Sequence, residues 1–511
     1  MKVPMSISDF LDRAVSAYGR RTAVVDEPDQ PAPSWGSLTF DELAVRARAQ
    51  AAGLDALGVD FGERVVVVSH NSARLLTSFF GVAGHGRVLV PVNFRLAAEE
   101  VRYIVEHSGA SVLIVDPELE PALAGIDCRH RFVLGAEADG VLLQPDTEPR
   151  GWRPDEDATA TVNYTSGTTA RPKGVQLTHR NIWLNAAVFG WQAGVCDRDV
   201  YLHTLPMFHC NGWGMPFATC AMGVNQVVLR KVDGNEILRR IERHEVSLLC
   251  GAPAVVAAIL DAAASWPGDV PGRGRVRMVV AGAPPPTRTI ERVEAELGWE
   301  FIQIYGLTET TPLLTMNRTR REWDDLDATT RAQRLSRAGA PALGIKLEVD
   351  GAGEVLARGN HVMEGYWAQP DSTADAIVDG WFHTGDGGML DDDGYLTISD
   401  RKKDVIISGG ENVSSIEVED AIFSHPAVVE VAVIGVPHDK WGETVVALVV
   451  TAPDADVTER EIRDHCRSRL AGFKVPTRVE FRDELARTAT GKLQKFKLRA
   501  PYWEDRERQV N

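Results

Sequence analysis

The spacing of apolar residues constrains this chain more than any other feature. Runs of strand length alternate with stretches of helical period. Residues 63–69 predict a strand, and 71–84 a helix capped by Asn71 or Ser72. A second helix is expected at 97–107 and a strand at 111–116. Further strands are expected at 246–250, 275–280 and 300–304, separated by helices at 253–263 and 287–297. Such alternation implies parallel sheets covered by helices. From Lys346 the texture changes to short strands and turns, with turn signals at Asp350-Gly351, Asp379-Gly380 and Asp393-Gly394. The last stretch, of about 110 residues, reads as a compact α+β unit. There Ser414 with Glu417, and Thr458 with Glu461, have capping-box spacing. Strands are expected at 428–434, 444–450 and 478–481. A boundary near 400–403 gives a large domain, 1–400, and a small one, 401–511. No repeat of 20–50 residues and no low-complexity tract interrupts this pattern.

The 511 residues carry 55 Lys and Arg against 72 Asp and Glu, a formal net charge of −17. Generic binding to nucleic acid or anionic lipid is therefore not expected. A small anionic ligand is not excluded, because a pocket sets its own field. The acidity is uneven: 401–511 hold 18 basic and 19 acidic residues, which leaves −16 for 1–400. Cys128, Cys196, Cys210, Cys220, Cys250 and Cys466 form no CxxC pair. Reduced or buried thiols are expected rather than a disulfide framework or zinc site. Residues 1–10 lack a basic region followed by an apolar stretch, and no apolar run has the length of a membrane span. A cytoplasmic protein is expected.

The chemistry concentrates in short motifs. Residues 164–175 read YTSGTTARPKGV. The hydroxyl pairs Thr165/Ser166 and Thr168/Thr169 flank Gly167, and Lys173 follows. Glycine lets a backbone approach phosphate closely, hydroxyls and amides donate to its oxygens, and lysine adds charge. The GxxxxGK[ST] spacing of a Walker loop is absent. On composition alone, a polar surface loop accounts for the stretch equally well. In order along the chain come LPMFHCNG (205–212), AGAP (281–284), QIYGLTE (303–309), GEVLARG (353–359), MEGY (363–366) and WFHTGD (381–386). DRKKD (400–404), SGGEN (408–412) and RTATGK (487–492) complete the series. The series resembles the adenylate-forming (AMP-binding) superfamily of acyl-CoA synthetases, adenylation domains and luciferases. Residues 205–217 and 400–419 are similar to short- and medium-chain acyl-CoA ligases, including those acting on methylmercaptopropionate or butyrate.

The resemblance implies an α/β fold. Its large N-terminal domain has parallel and mixed sheets flanked by helices plus a β-barrel-like subdomain, and its small α+β C-terminal domain is mobile. It implies ATP, Mg²⁺ and coenzyme A, with a carboxylic acid as the other partner, no nucleic acid, no membrane span, and a homodimer left open. A carboxylate would attack the α-phosphorus of ATP and expel pyrophosphate, and the acyl group would then pass to a thiol. Both first reactants are anionic, so catalysis is positioning plus electrostatic stabilisation.

By the same resemblance, Lys492 bridges the carboxylate and the α-phosphate; alone it would be a solvated lysine among Lys495, Lys497 and Arg499. Glu309 holds Mg²⁺ with Thr168, and Thr308 donates to the α-phosphate. Residues 165–169 and Lys173 cradle the phosphates. Gly282, Ala283 and Pro284 lie beside adenine, on which Tyr305 packs next to Gly306; ordinary aromatic packing is the alternative for Tyr305. Asp386 takes the ribose hydroxyls and Arg401 adds a second contact, unless it is a surface arginine. His209, Asn211, Gly212 and Trp213 line the acyl site with Gly306 and Thr310; a packed core is the alternative for His209 and Trp213. Trp213 has no basic neighbour, which suits an uncharged tail of modest length or an aromatic acid. Lys403 is the hinge, and Ser408, Gly409, Gly410 and Glu411 line the thiol route. Ala170 and Ala486 replace residues that are often Gly and Pro. The polar stretch 317–337 is expected to be a surface helix–turn, with a lid as the alternative. It keeps open acceptors other than CoA: a carrier-protein thiol, or an amine, including activation of nitrite for diazotisation of an aryl amine. A non-catalytic nucleotide-binding protein is the remaining alternative. A hydrolase is not expected, since GxSxG and HExxH are absent.

Overall fold

The structure is a computed structural model. It describes residues 1–165, 171–401, 404–408, 411–438, 441–453, 455–487 and 493–503. Among these residues the apolar runs become two large sheets. One has seven strands in the order Gly365–Tyr366, Lys173–Thr178, Thr159–Thr165, Val88–Val92, Arg64–Val68, Ala110–Val115 and His130–Val133. Its strands are parallel from Thr159–Thr165 onward and antiparallel at the other edge. Val65 to Val68 are at most 2% exposed, as a strand covered on both faces requires. Each such side chain contributes about 1.5–3 kcal/mol over leaving it in water. The helix that follows, Ala73–Gly81, is capped by Ser72, whose Oγ accepts from Leu75 N at 3.1 Å.

The second sheet has nine strands, from Ala340–Pro341 through Leu313–Asn317, Glu300–Gly306, Arg277–Val280 and Leu248–Gly251 to Val200–His203, Asn225–Val228, Thr22–Val25 and Ser37–Thr39. Its middle is parallel and both edges are antiparallel, so the sheets are mixed rather than purely parallel. The helix expected over 287–297 divides into Thr287–Arg292 and a wider turn, Val293–Leu297. Ile290, Val293 and Leu297 are buried throughout, so the apolar spacing is kept while the turn widens.

The strands expected to make a barrel-like subdomain form a five-stranded antiparallel sheet: Lys346–Val349, Glu354–Arg358, Trp381–Leu390, Ile377–Val378 and Leu396–Arg401. Val378 pairs with Trp381 across Asp379 and Gly380, both at positive φ (51° and 76°). This is the two-residue hairpin that the Asp-Gly signal predicts. The stretch 317–337 is a surface helix–turn: Ala328–Leu335 is capped by Asp327, and Trp323 is buried against Tyr395.

The small domain packs helices Ser415–Phe423 and Glu459–Arg467 on strands Ile406–Ser408, Glu411–Val413, Val428–His438, Gly442–Thr451 and Arg478–Phe481. Thr458 and Glu461 make the full capping box. Ser414 makes only half of one, because the Glu417 carboxylate goes instead to Lys474 Nζ at 2.7 and 2.6 Å. The domain meets the large body where Thr287 N donates to Asp420 Oδ1 (3.0 Å) and Arg288 donates to the His425 carbonyl (3.1 Å). Cys210, Cys220, Cys250 and Cys466 are buried thiols, Cys128 is half-buried and Cys196 is exposed. No helix among the described residues is long and apolar enough to cross a membrane.

Candidate active site

On the side expected to face phosphate, Thr165 stands opposite Lys173 in an antiparallel pair, so the two ends of the glycine–hydroxyl loop lie side by side. Ser166, Gly167, Thr168, Thr169 and Ala170 lie outside the described residues. Lys173 Nζ sits 4.7 Å from the centroid of the Tyr366 ring. The Tyr366 hydroxyl donates to Glu309 Oε1 at 3.0 Å. Glu309 lies on the turn Thr308–Thr310, whose shape is set by its neighbours. Thr310 Oγ1 accepts from Leu307 N (2.9 Å) and donates to the Pro312 carbonyl (2.7 Å). Thr310 is fully buried and shapes the turn through these two bonds. Gly306 could be nothing else, since a Cβ there would lie 1.5 Å from the Pro312 oxygen.

On the side expected to face the nucleoside, Tyr305 and Asp386, separate in the sequence, are joined by the fold. The Tyr305 hydroxyl donates to Asp386 Oδ2 at 2.8 Å. Asp386 lies on Trp381–Leu390, where its backbone partner in register is Arg401. Gly282 has φ 98° and, with Ala283, sits in an exposed loop after strand Arg277–Val280; Pro284 is half-buried there.

The loop expected to line the acyl site holds the longest run of positive φ among the described residues. Cys210, Asn211, Gly212, Trp213 and Gly214 run consecutively at positive φ, between 46° and 82°. A left-handed turn costs about 1–2 kcal/mol for each ordinary L-residue, least for Asn and Gly. A buried polar network offsets that cost. Asn211 Nδ2 donates to Thr161 Oγ1 (2.9 Å), and its Oδ1 accepts from Asn163 Nδ2 (3.0 Å). Asn185 Nδ2 donates to the Trp213 carbonyl (3.2 Å). Asn211 is 1% exposed and both ends of its amide are taken, so it anchors the loop. Trp213 and Gly212 are buried in the same turn, and His209 at its start is half-buried. The Cys210 thiol reaches the Thr308 carbonyl (3.9 Å), which joins the acyl and phosphate sides. Burial, then the charge of Glu309, push that thiol's pKa up.

In the small domain, Ser408 pairs with Glu411 and with Gly442, and Glu411 is exposed. Arg487 and Leu493 form an antiparallel bridge. Lys403, Gly409, Gly410 and Lys492 lie outside the described residues, as does the side chain of Arg401. Sequence reasoning gave no role to Tyr366, Thr161, Asn163 or Asn185. Tyr366 stood inside a noted motif, and Asn163 precedes Thr165 by two on one strand; their partners lie too far along the chain for spacing to find.

The sequence profile of the AMP-binding enzyme matches residues 11–367, and that of the AMP-binding enzyme C-terminal domain matches 417–492. The chain belongs to the AMP-binding enzyme family. Within this adenylate-forming family it stands in the acyl-CoA ligase branch. It is 37% identical to the 2-methylpropanoate–CoA ligase of Humulus lupulus, over 97% of this chain and 95% of the relative. The crystal structure of an anthranilate CoA ligase in complex with anthranoyl-AMP superposes with a TM-score of 0.87 at 28% identity, covering 98% of each chain. The o-succinylbenzoate CoA synthetase of Bacillus subtilis, in complex with ATP and magnesium, gives a TM-score of 0.80 at 27% identity, over 96% of this chain and 99% of that one. This AMP-binding enzyme is an AMP-forming ligase of the α/β type, with a large N-terminal domain and a smaller C-terminal one.

The donor set fits a magnesium ion that arrives with the nucleotide. Among the described residues no group of three or more His, Cys, Asp or Glu side chains could hold a metal by itself. One carboxylate, with the remaining ligands from phosphate and water, is how Mg²⁺ is commonly held. Glu309 supplies such a carboxylate.

Proposed function

We propose that this ligase activates a small carboxylic acid, short- or medium-chain or aryl, as its acyl-adenylate and passes the acyl group to coenzyme A. The convergence on the turn Thr308–Thr310 carries this reading: the acyl loop meets it through Cys210, and the Tyr366–Lys173 group meets it through Glu309. The buried, uncharged acyl loop with Trp213 suits an apolar tail of modest size.

The first step forms a bond between a carboxylate oxygen and the α-phosphorus, and pyrophosphate leaves. Charge on the α-phosphoryl oxygens is met by Thr308, Lys492 and the hydroxyl loop 165–169, and Lys173 offsets charge on the departing pyrophosphate. Glu309 and Thr168 hold the nucleotide's Mg²⁺. Tyr305 flanks adenine next to Gly282, Ala283 and Pro284, and Asp386 and Arg401 hold the ribose. In the second step the CoA sulfur attacks the acyl carbon and AMP leaves. Lys492 must first withdraw from that face, and rotation of 401–511 about Lys403 withdraws it. Ser408, Gly409, Gly410 and Glu411 then line the thiol's entry. The cytoplasm is the proposed location, where an exposed thiol such as Cys196 stays reduced.

AMP formation over a panel of acids and nitrite, each with and without CoA, tests the reading. It predicts AMP release that needs both an acid and CoA for steady turnover, with free thiol consumed mole for mole. AMP release with thiol untouched overturns CoA as the acceptor. Lys492→Ala is expected to abolish acid-dependent pyrophosphate exchange while ATP still binds; near-normal exchange removes Lys492 from the first step.

A further inference from the structure

We propose that Tyr366 is a positioning residue for adenylate formation, setting Glu309 and Lys173 in place at the same time. The inference rests on the reading of Glu309 as a ligand to the nucleotide's magnesium. Tyr366 belongs to a two-residue strand, Gly365–Tyr366, added to the edge of the seven-stranded sheet. Its register partner is Val175, two residues after Lys173. The strand is fixed at three points. Tyr366 N donates to Thr373 Oγ1 (2.9 Å), Trp367 N donates to the Gly174 carbonyl (2.7 Å), and Met363 N donates to the Glu309 carbonyl (2.8 Å).

From that base one half-buried side chain touches two charged groups of separate elements. Its hydroxyl donates to Glu309 Oε1 at 3.0 Å, and its ring face carries the Lys173 ammonium at 4.7 Å from the centroid. A hydrogen bond to a carboxylate restricts its rotamer, and a ring under an ammonium restricts where that charge sits. If Tyr366 only filled space, removing its hydroxyl would leave the behaviour towards magnesium unaltered.

Three full-length variants separate these cases: Tyr366→Phe, Tyr366→Leu and Glu309→Gln. ATP binding is measured by calorimetry with and without Mg²⁺, in the absence of acid, and the Mg²⁺ concentration for half-maximal AMP formation is measured separately. Tyr366→Phe is expected to lose about tenfold of the tightening that Mg²⁺ gives to ATP. Its half-maximal Mg²⁺ should rise by a similar factor, with metal-free ATP binding unchanged. Tyr366→Leu should in addition weaken metal-free ATP binding about three- to fivefold, because Lys173 loses its platform. Wild-type magnesium dependence in Tyr366→Phe, with that dependence lost in Glu309→Gln, overturns the role of Tyr366 and leaves Glu309 as the ligand. Full magnesium dependence in Glu309→Gln overturns the site reading itself, and this proposal with it. Should Tyr366→Leu melt far below the wild type, Tyr366→Phe, which keeps the ring, decides alone.

Discussion

The proposed acyl side and the proposed phosphate side meet at the turn Thr308–Thr310, yet they are held by opposite means. The acyl loop is neutral, buried and locked: five consecutive residues at positive φ are pinned by Thr161, Asn163 and Asn185. The phosphate side is charged and half-buried, and its lysine and carboxylate are steadied by one ring and one hydroxyl. A neutral buried network is stiff because every broken bond leaves an unsatisfied polar group. Charged groups near water tolerate small shifts, which suits a surface that must follow phosphates as they move. On the proposed roles, the acid's seat is rigid and the nucleotide's seat adjusts.

The largest effect that would sharpen this contrast comes from Glu309→Gln. AMP formation should fall about 10²–10³-fold with little change in melting temperature, because the carboxylate acts on charge rather than packing. A large fall in stability with activity retained would reverse the assignment. Asn211→Ala should show the opposite balance. It removes one bond each from Thr161 and Asn163, which keep their bond to one another, costing about 1–2 kcal/mol, and should raise KM for the acid about tenfold while KM for ATP stays within twofold. Equal changes in both constants would break the division into two sides. Tyr305→Phe removes only the hydroxyl on Asp386 and should raise KM for ATP about three- to tenfold. Steady-state kinetics at saturating acid reads this directly.

Asp420→Asn has the smallest expected effect and probes the joint with the small domain. Burial is the largest influence on Asp420 and raises its pKa above the ordinary 3.8. A carboxyl raised on folding contributes stability below 3.8, and loses it as pH rises through the folded value. At neutral pH the ionised group therefore weighs against docking. The isosteric amide can still accept from Thr287 N, and should raise the melting temperature by about 1–2 °C. It should also flatten the pH dependence between 3.8 and neutrality. A melting curve unchanged at both pH values would show that the contact carries no linked proton.

Much of this architecture was legible because local spacing encodes it. Val65 to Val68 announced a covered strand, Ser72 capped its helix, and Asp379-Gly380 made its hairpin. The half-made box at Ser414 was not legible, since Glu417 chose a lysine 57 residues away. Of the site, residue types were readable and their partners were not. Asn163 to Asn211 spans 48 residues and Tyr366 to Glu309 spans 57, so neither contact leaves a periodic trace. The left-handed turn was hidden for another reason: Cys210 and Trp213 carry no intrinsic preference for positive φ, and only the surrounding network imposes it.

One pairing acquires a further meaning once the steps are laid in order. Asp386 stands in register with Arg401, at the end of the strand that leads into the small domain. The fulcrum of the proposed rotation is thus stitched, rung by rung, to the proposed ribose contact. On the proposed roles, the nucleoside contact and the turning point of the small domain share one two-stranded ribbon. A shift at one end of that ribbon is thereby passed by backbone hydrogen bonds to the other.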